Sequence, residues 1–199
     1  MSLRIGNRFL VLRPFEAMDA GERIPIILGP GQAFGSGEHE TTHSCLEELE
    51  NIPFFPSSKV LDLGCGTGIL SIAAAKLGAE SVIALDPDPQ AIKTTASNIQ
   101  LNRVEKNVIP LEGELKMLEN RRFYLIMANL YGDILLSLVN DIQAHLEPGG
   151  HLLLSGIAYE YAYELKKNFI KAGCKLLKSR YLEEYTTLIF KRSLTGLIH

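Results

Sequence analysis

Residues 60–70, "VLDLGCGTGIL", decide the fold. An apolar run with one acid, Val60-Leu61-Asp62-Leu63, gives way to three glycines at alternate positions, Gly64, Gly66 and Gly68. A small-residue apolar run, "ILSIAAAKLGA", follows at once. Strand, glycine turn and helix in immediate succession are the first crossover of a parallel sheet. Glycine permits the left-handed backbone of such a turn and leaves bare main chain for a ligand to approach.

Downstream, the two periodicities alternate. "SVIALD", "NVIPLEG", "FYLIMANL" and "HLLLSGI" read as further strands, each a nearly continuous apolar run. Between them, "DPQAIKTTASNIQLN", "GDILLSLVNDIQAHLEPGG" and "YEYAYELKKNFIKAG" read as helices. Asp88 is an N-cap with Pro89 at the first helical position, Gly78 closes the helix before it, and Pro148-Gly149-Gly150 ends the helix that opens at Gly132. Strands of this kind call for a parallel sheet covered on both faces. "CKLLKSRYLEEYTTLIFKR" is different: its two strands meet at a turn near Glu183-Glu184, too short for a crossover, so they pair antiparallel. Upstream, "TTHSCLEELE" sets Thr42, Cys45, Leu46 and Leu49 on one helical face. "RFLVLRPF" and "IPIILGP" are short strands or extended arms before the loop "GPGQAFGSG". The expected fold is Rossmann-like, doubly wound α/β: a mostly parallel seven-stranded sheet, helices on both faces, and an antiparallel C-terminal strand pair.

Composition narrows the function classes. A chain of 199 residues suits one domain, burying roughly 70% of its unfolded surface. The net charge is −3, and apart from Arg121-Arg122 and Lys166-Lys167 the basic residues are scattered, so no direct nucleic-acid binding is expected. No apolar run approaches the ~20 residues of a membrane span, and no signal-peptide pattern opens the sequence. Cys45, Cys65 and Cys174 contain no C-x-x-C pair, which suits reduced thiols in a cytoplasm rather than a disulfide framework or zinc ribbon.

The glycine turn has an acidic partner. Asp86 ends the second strand, 86 − 64 = 22 residues after Gly64, where a carboxylate can accept hydrogen bonds from both ribose hydroxyls of a nucleoside. A dinucleotide site requires G-x-G-x-x-G, but Ile69 stands where its last glycine belongs. The spacing G-x-G-x-G with Asp62 just ahead instead resembles motif I of class I S-adenosylmethionine-dependent methyltransferases. That cofactor's methionine end carries an ammonium and a carboxylate, which an acid and free backbone donors suit. A ligand-free glycine turn and a dinucleotide site are the competing readings.

A second motif points elsewhere. His39-Glu40-Thr41-Thr42-His43 fits the H-E-x-x-H signature of zinc hydrolases. A catalytic zinc needs a third protein ligand and an open position. The chain after His43 enters the core without a ligand helix, and His145, His151 and His199 lack the spacing. No metal is expected.

"GPGQAFGSGEHETTHSCLEEL" resolves that conflict. It is similar to the segment preceding motif I in the ribosomal protein L-11 methyltransferase (PrmA) family, approximately G-x-A-F-G-T-G-x-H-x-T-T-x-x-C-L, with Ser36 where threonine is usual. "ALDPDPQAI", "MANLYGDILLSL" and "LEPGGHLLLSGI" extend the match from about Ile5 to the end. The family pattern accounts for His39, Thr41 and Thr42, leaving Glu40 and His43 to coincidence. The resemblance implies the class I methyltransferase fold, S-adenosyl-L-methionine as cofactor, and methylation of amino groups of a protein substrate, a ribosomal protein. It places cofactor contacts on Thr42, Gly64, Asp86 and Asn129, with Asp62, Gly66 and Gly68 completing motif I. Phe34, Gly35 and Gly37 fall in the loop that closes over the methionine moiety. The chain then divides into an arm and cofactor-covering loop, 1–39, and a methyltransferase core, 40–199. Family members also carry an N-terminal domain that grips the ribosomal protein. The core alone is therefore expected to bind cofactor but to methylate that protein slowly or not at all. Either it is part of a longer protein or it is a short homologue with another substrate.

The chemistry asks little of the enzyme beyond alignment and dryness. The acceptor amine must be neutral, against a free lysine pKa of ~10.4; desolvation beside a sulfonium lowers that value. Asn129 is the candidate catalytic residue, its amide oxygen accepting from cofactor or acceptor amine at the end of the fourth strand. The chain reads Asn129-Leu130-Tyr131 where other amino-methylating relatives carry N-P-P-Y. The competing role for Asn129 is N-cap of "GDILLSL". Glu38, Glu40 and His43 shape the acceptor channel or simply open a helix, Glu112 or Glu114 reads the adenine, and Cys65 fills space. Two other functions stay open: a small-molecule N- or O-methyltransferase, and a catalytically silent cofactor-binding module, which the intact Gly64/Asp86/Asn129 set argues against.

Overall fold

The computed structural model describes residues 2–16, 20–30, 34–54 and 57–194; part of the glycine-rich loop (31–33) and His199 lie outside them. Its main sheet has seven strands in the order β6-β5-β4-β7-β8-β10-β9. β4 (Lys59–Leu63), β5 (Ser81–Asp86), β6 (Val108–Glu112), β7 (Phe123–Asn129) and β8 (Leu146–Ala158) run parallel, and β10 (Tyr185–Arg192) lies antiparallel between β8 and β9 (Cys174–Tyr181). The doubly wound expectation and its antiparallel end are both met. β4 is the switch point: the chain leaves it toward β5 on one side and reaches β7 on the other. A crevice opens at the carboxyl ends of strands where the winding reverses, which is where such sheets bind ligands.

Alternation along the strands sends side chains into two buried layers. Val60 and Val82 pack with Cys45, Leu46 and Leu49 of α1 (Glu40–Leu49), Ile72 and Ala73 of α2 (Ile69–Lys76), and Ile99 of α3 (Pro89–Asn102). Leu61 and Ile83 face the other way, toward Leu135 of α4 (Gly132–Ser137), Ile142 of α5 (Val139–His145) and Leu165 and Phe169 of α6 (Tyr159–Lys171). Asp88 caps α3 as the sequence predicts, its carboxylate accepting from the Gln90 N–H at 2.8 Å.

Two expectations fail. The helix read over Gly132–Gly150 is broken at Leu138 (φ −100°, ψ 2°) into α4 and α5 and stops at His145. Pro148-Gly149-Gly150 is no helix stop. It lies inside β8, where the register against β7 shifts between Phe123 and Leu125 and Gly149 takes φ 78°. A bulge absorbs the extra residues and tolerates a proline without a donor.

The N-terminal segment is also more built than an arm. β1 (Leu3–Ile5), which the sequence reading missed, pairs antiparallel with β2 (Phe9–Leu12), and β2 pairs parallel with β3 (Ile24–Ile27). The Glu50 carboxylate accepts from the N–H groups of Asn7 (3.1 Å) and Arg8 (2.8 Å) at the turn. Ile5, Phe9, Val11 and Ile26 bury in the same cluster as α2. Asn102 holds the free edge of β3, accepting from Ile27 N at 2.9 Å and donating to Ile27 O at 2.6 Å. Nearby, Asn98 accepts from Gly29 N at 2.8 Å.

Candidate active site

At the carboxyl ends of β4, β5 and β7 lies a cavity of about 410 Å³, within the roughly 300–1,000 Å³ typical of small-molecule sites. Its lower wall is the glycine loop. Gly64 (φ 75°), Gly66 (56°) and Gly68 (76°) are all left-handed. At Gly66 a side chain is doubly barred, because a Cβ would strike the carbonyl oxygen of Phe34. That contact reflects how the two loops are stitched together: Thr67 N donates to Phe34 O at 3.0 Å, and the Thr67 hydroxyl donates to Gly35 O at 2.6 Å. α3 braces the loop from behind, with Thr95 Oγ1 donating to Gly66 O (2.9 Å) and Asn98 Nδ2 to Thr67 O (2.8 Å).

Asp86 faces this loop. One carboxylate oxygen accepts from Gly66 N at 3.0 Å and the other from Asp88 N at 3.0 Å. A carboxylate offers about four lone-pair sites. Two backbone bonds therefore fix its plane while leaving acceptor capacity toward the cavity it lines.

The opposite wall carries a polar chain. Asn129 Nδ2 donates to Thr41 Oγ1 at 3.1 Å and lies 3.5 Å from Thr42 Oγ1. Thr41 Oγ1 is 2.8 Å from His39 Nδ1, which also accepts from Thr41 N at 3.3 Å as the N-cap of α1. An Nδ1 that accepts from the backbone carries no proton, so neutral His39 bears its hydrogen on Nε2 and the Thr41 hydroxyl donates to Nδ1. The His39 ring stands 5.5 Å from Phe34 and 5.4 Å from Tyr185. With one Nδ2 hydrogen donated to Thr41, Asn129 Oδ1 has no hydrogen-bond partner among the described residues and lies beside Gly156, where a Cβ would sit 3.0 Å from that oxygen. Asn129 is not the cap of α4; Tyr131 holds that position, with no side-chain bond.

The sequence-chosen residues divide into two groups. Phe34, Gly64, Gly66, Asp86 and Asn129 line the cavity, whereas Gly35, Gly37, Thr42, Asp62 and Gly68 do not. Asp62 is buried on the α2 side, its carboxylate accepting from Ser71 N (3.0 Å) and Ser71 Oγ (2.6 Å). Burial pushes its pKa up to about 6, with the Asp86 charge adding to the rise and the Ser71 bonds opposing it. Cys65 is buried beside Thr95, and burial raises its thiol far above the ordinary range, as befits a space-filler. Glu112 and Glu114 are exposed and off the cavity, Glu114 pairing with Lys116 at 2.6 Å. His39 and Tyr185, which no cofactor reading selected, do line it.

Two of the H-E-x-x-H letters have other occupations. His39 caps α1, and the Glu40 carboxylate accepts from Glu183 N (2.8 Å) and Glu184 N (3.1 Å), clasping the β9–β10 turn. Among the described residues no three His, Cys, Asp or Glu side chains are grouped to hold a metal.

Comparison with known proteins fits this geometry. The profile of the family described as ribosomal protein L11 methyltransferase (PrmA) matches residues 2–193. A ribosomal protein L11 methyltransferase of Geobacter sp. (strain M21) is 39% identical over 96% of this chain and 64% of its own length. One from Exiguobacterium sibiricum is 38% identical over 84% of this chain and 53% of its own. The chain thus spans less than two thirds of these curated relatives. The crystal structure of a ribosomal protein L11 methylase from Lactobacillus delbrueckii subsp. bulgaricus superposes with a TM-score of 0.88 at 27% identity, covering 96% of this chain and 98% of that one. Carrying the fold, the glycine loop and the sequence of this group, the chain belongs to the ribosomal protein L11 methyltransferase (PrmA) family.

Proposed function

We propose that the cavity binds S-adenosyl-L-methionine and that the chain methylates amino groups of a protein, a ribosomal protein in its relatives' case. The observation that carries this reading is the pairing of Asp86, fixed by the glycine loop, with the free Oδ1 of Asn129 in one cavity. The residues present fit the cofactor: Asp86 would take the ribose hydroxyls, and Gly64 and Gly66 offer bare backbone. Phe34 would cover the methionine moiety, Gly35 and Gly37 giving its loop shape. Thr42, Asp62 and Gly68 would act from behind the wall, Asp62 by holding α2 and Gly68 by fitting the loop against Thr95. The bound cofactor supplies an electrophilic methyl group.

What the chain's own residues add is alignment. Asn129 Oδ1 would accept from the acceptor's N–H, turning the nitrogen lone pair toward the methyl, and the rings of Phe34, His39 and Tyr185 would shield the bound ligands from water. A dry pocket also favours the neutral amine that the reaction needs. Residues 1–39 and 40–199 are proposed as a functional division, covering segment and core, although β1–β3 pack into the same core. Among the described residues no helix is long and apolar enough to cross a membrane, and a cytoplasmic place of action suits a ribosomal substrate.

The test is single-turnover transfer from methyl-labelled cofactor to ribosomal protein L11, with the modified atoms located by mass spectrometry. Label on amino nitrogens supports the reading. Intact cofactor binding with no label on any amine contradicts it.

A further inference from the structure

The surface beside the cavity mouth is unusually rich in exposed tyrosine. Tyr131, Tyr159, Tyr163 and Tyr181 expose 69%, 47%, 77% and 64% of their surface. Tyr159 and Tyr163 share one face of α6, one turn apart. Tyr159 is locked in place: its ring is 6.1 Å from that of Tyr181, and its hydroxyl donates to the carbonyls of Leu182 and, at 3.1 Å, Glu183. Glu40 holds the same turn against α1, one residue from His39 in the cavity. The face therefore continues into the cavity through Tyr185 and, on the α4 side, Tyr131. Tyrosines with exposed rings are enriched at protein interfaces.

Charge selects the occupant. Residues 131–133, 159–164 and 181–185 carry Asp133, Glu160, Glu164, Glu183 and Glu184 and no lysine or arginine. All five carboxylates are exposed. At the border, Lys166 Nζ sits 5.2 Å over the Tyr181 ring and 3.1 Å from its hydroxyl, so this surface already takes an ammonium group on an aromatic face.

We infer that this tyrosine face docks a basic, lysine-bearing segment of the acceptor protein and delivers one of its amines to the cavity. The inference rests on the proposed reading that the acceptor is a protein amine. It also moves part of substrate recognition onto the core, which the sequence reading assigned to a separate domain. Lysines flanking the target would pair with the carboxylates and rest on Tyr163, while the target amine enters between Tyr131 and Tyr185.

The test is binding, kept apart from catalysis. Fluorescent oligolysine is titrated into the full chain with S-adenosylhomocysteine present, and fully acetylated oligolysine serves as the uncharged control. The charge reversal E160K/E164K should weaken oligolysine binding about tenfold and the neutral pair E160Q/E164Q about threefold, both with unchanged cofactor affinity and melting temperature. Y163A should also weaken it. The acetylated probe should bind poorly, and salt should weaken binding to the parent. Equal oligolysine affinity in parent and E160K/E164K, or no binding to the parent, would overturn the inference. Equal binding of the acetylated probe would overturn it too. A parent that binds oligolysine at this face yet transfers no methyl to any amine would leave the docking face standing and refute the catalytic reading instead.

Discussion

Replacing Asn129 separates its hydrogen bond to Thr41 from the alignment role proposed for it. Its Nδ2 donates to Thr41 at 3.1 Å, and its Oδ1, beside Gly156 of the cavity lining, has no hydrogen-bond partner among the described residues. In Asn129→Ala the Thr41 hydroxyl keeps His39 as a partner at 2.8 Å, so the stability loss should stay near 1–2 kcal/mol. Catalysis loses its aligning acceptor. Misplacing a reacting group by about 1 Å costs about 100-fold, and kcat should fall by that order with cofactor affinity nearly unchanged. Asn129→Asp keeps the shape and an acceptor but turns the Nδ2 donor into an acceptor. The Thr41 hydroxyl must then donate to the introduced carboxylate, leaving His39 Nδ1. The new charge also favours the ammonium form of the acceptor, raising its pKa by about 1 or more. The alkaline rise of kcat/KM should accordingly move up by about one pH unit. Single-turnover transfer measured across pH, with calorimetric cofactor titration alongside, reads both variants. If Asn129→Ala retains kcat within about threefold, or Asn129→Asp keeps the parent's pH profile, the alignment argument is wrong.

Other perturbations test other parts of the structure. Burial lifts the Asp62 pKa from 3.8 to about 6, so ionising it costs the fold about 3 kcal/mol. A raised carboxyl pKa contributes stability that is present below pH ~4 and lost as pH rises through ~6. Asp62→Asn keeps an acceptor for Ser71 without the charge; its stability relative to the parent should improve between pH ~4 and ~8 in urea unfolding, and a change in the opposite direction would refute the assignment. Glu40→Ala removes the clasp on the β9–β10 turn; amide exchange at Glu183 and Glu184 should quicken while global stability falls by about 1 kcal/mol or less. Unchanged exchange would mean that the turn needs no clasp. Chelation should leave methyl transfer intact, since His39 and Glu40 are engaged in capping and clasping; stoichiometric zinc tightly held on His39 and His43, found by elemental analysis, would revive the hydrolase reading.

The fold was legible where local chemistry and topology agree. Three alternate glycines, an acid one strand later, and the Asp88-Pro89 cap fix β4, β5 and α3 without tertiary information. Reading failed where a distant partner decides. The apolar period from Gly132 runs unbroken through Leu138, so nothing local marks the break between α4 and α5, and Pro148-Gly149-Gly150 spells a helix stop until β7 is alongside to form the bulge. The site behaves likewise. Asp86 was found because its spacing from the glycines is a property of the fold. The His39–Thr41–Asn129 chain was not, because Thr41 and Asn129 lie 88 residues apart in sequence. Thr95, Asn98 and Asn102, which brace the loop and β3, did leave a trace: buried polar residues at helical spacing on one face of α3. The H-E-x-x-H letters were set aside for want of a third ligand, but spacing alone did not reveal that His39 serves as the cap of the helix it precedes.

Whether Asp86 and the glycine loop form the nucleoside end of a cofactor site is decided by calorimetric titration of S-adenosyl-L-methionine into the parent and Asp86→Ala. Two backbone bonds at 3.0 Å pre-orient that carboxylate, so its loss removes charge-assisted hydrogen bonds already in position. Binding to the parent should be saturable and one-to-one, and weaker in the variant by about 2–4 kcal/mol, or about 30- to 1,000-fold in Kd. Equal affinity in the two proteins, or no binding to the parent, would contradict it.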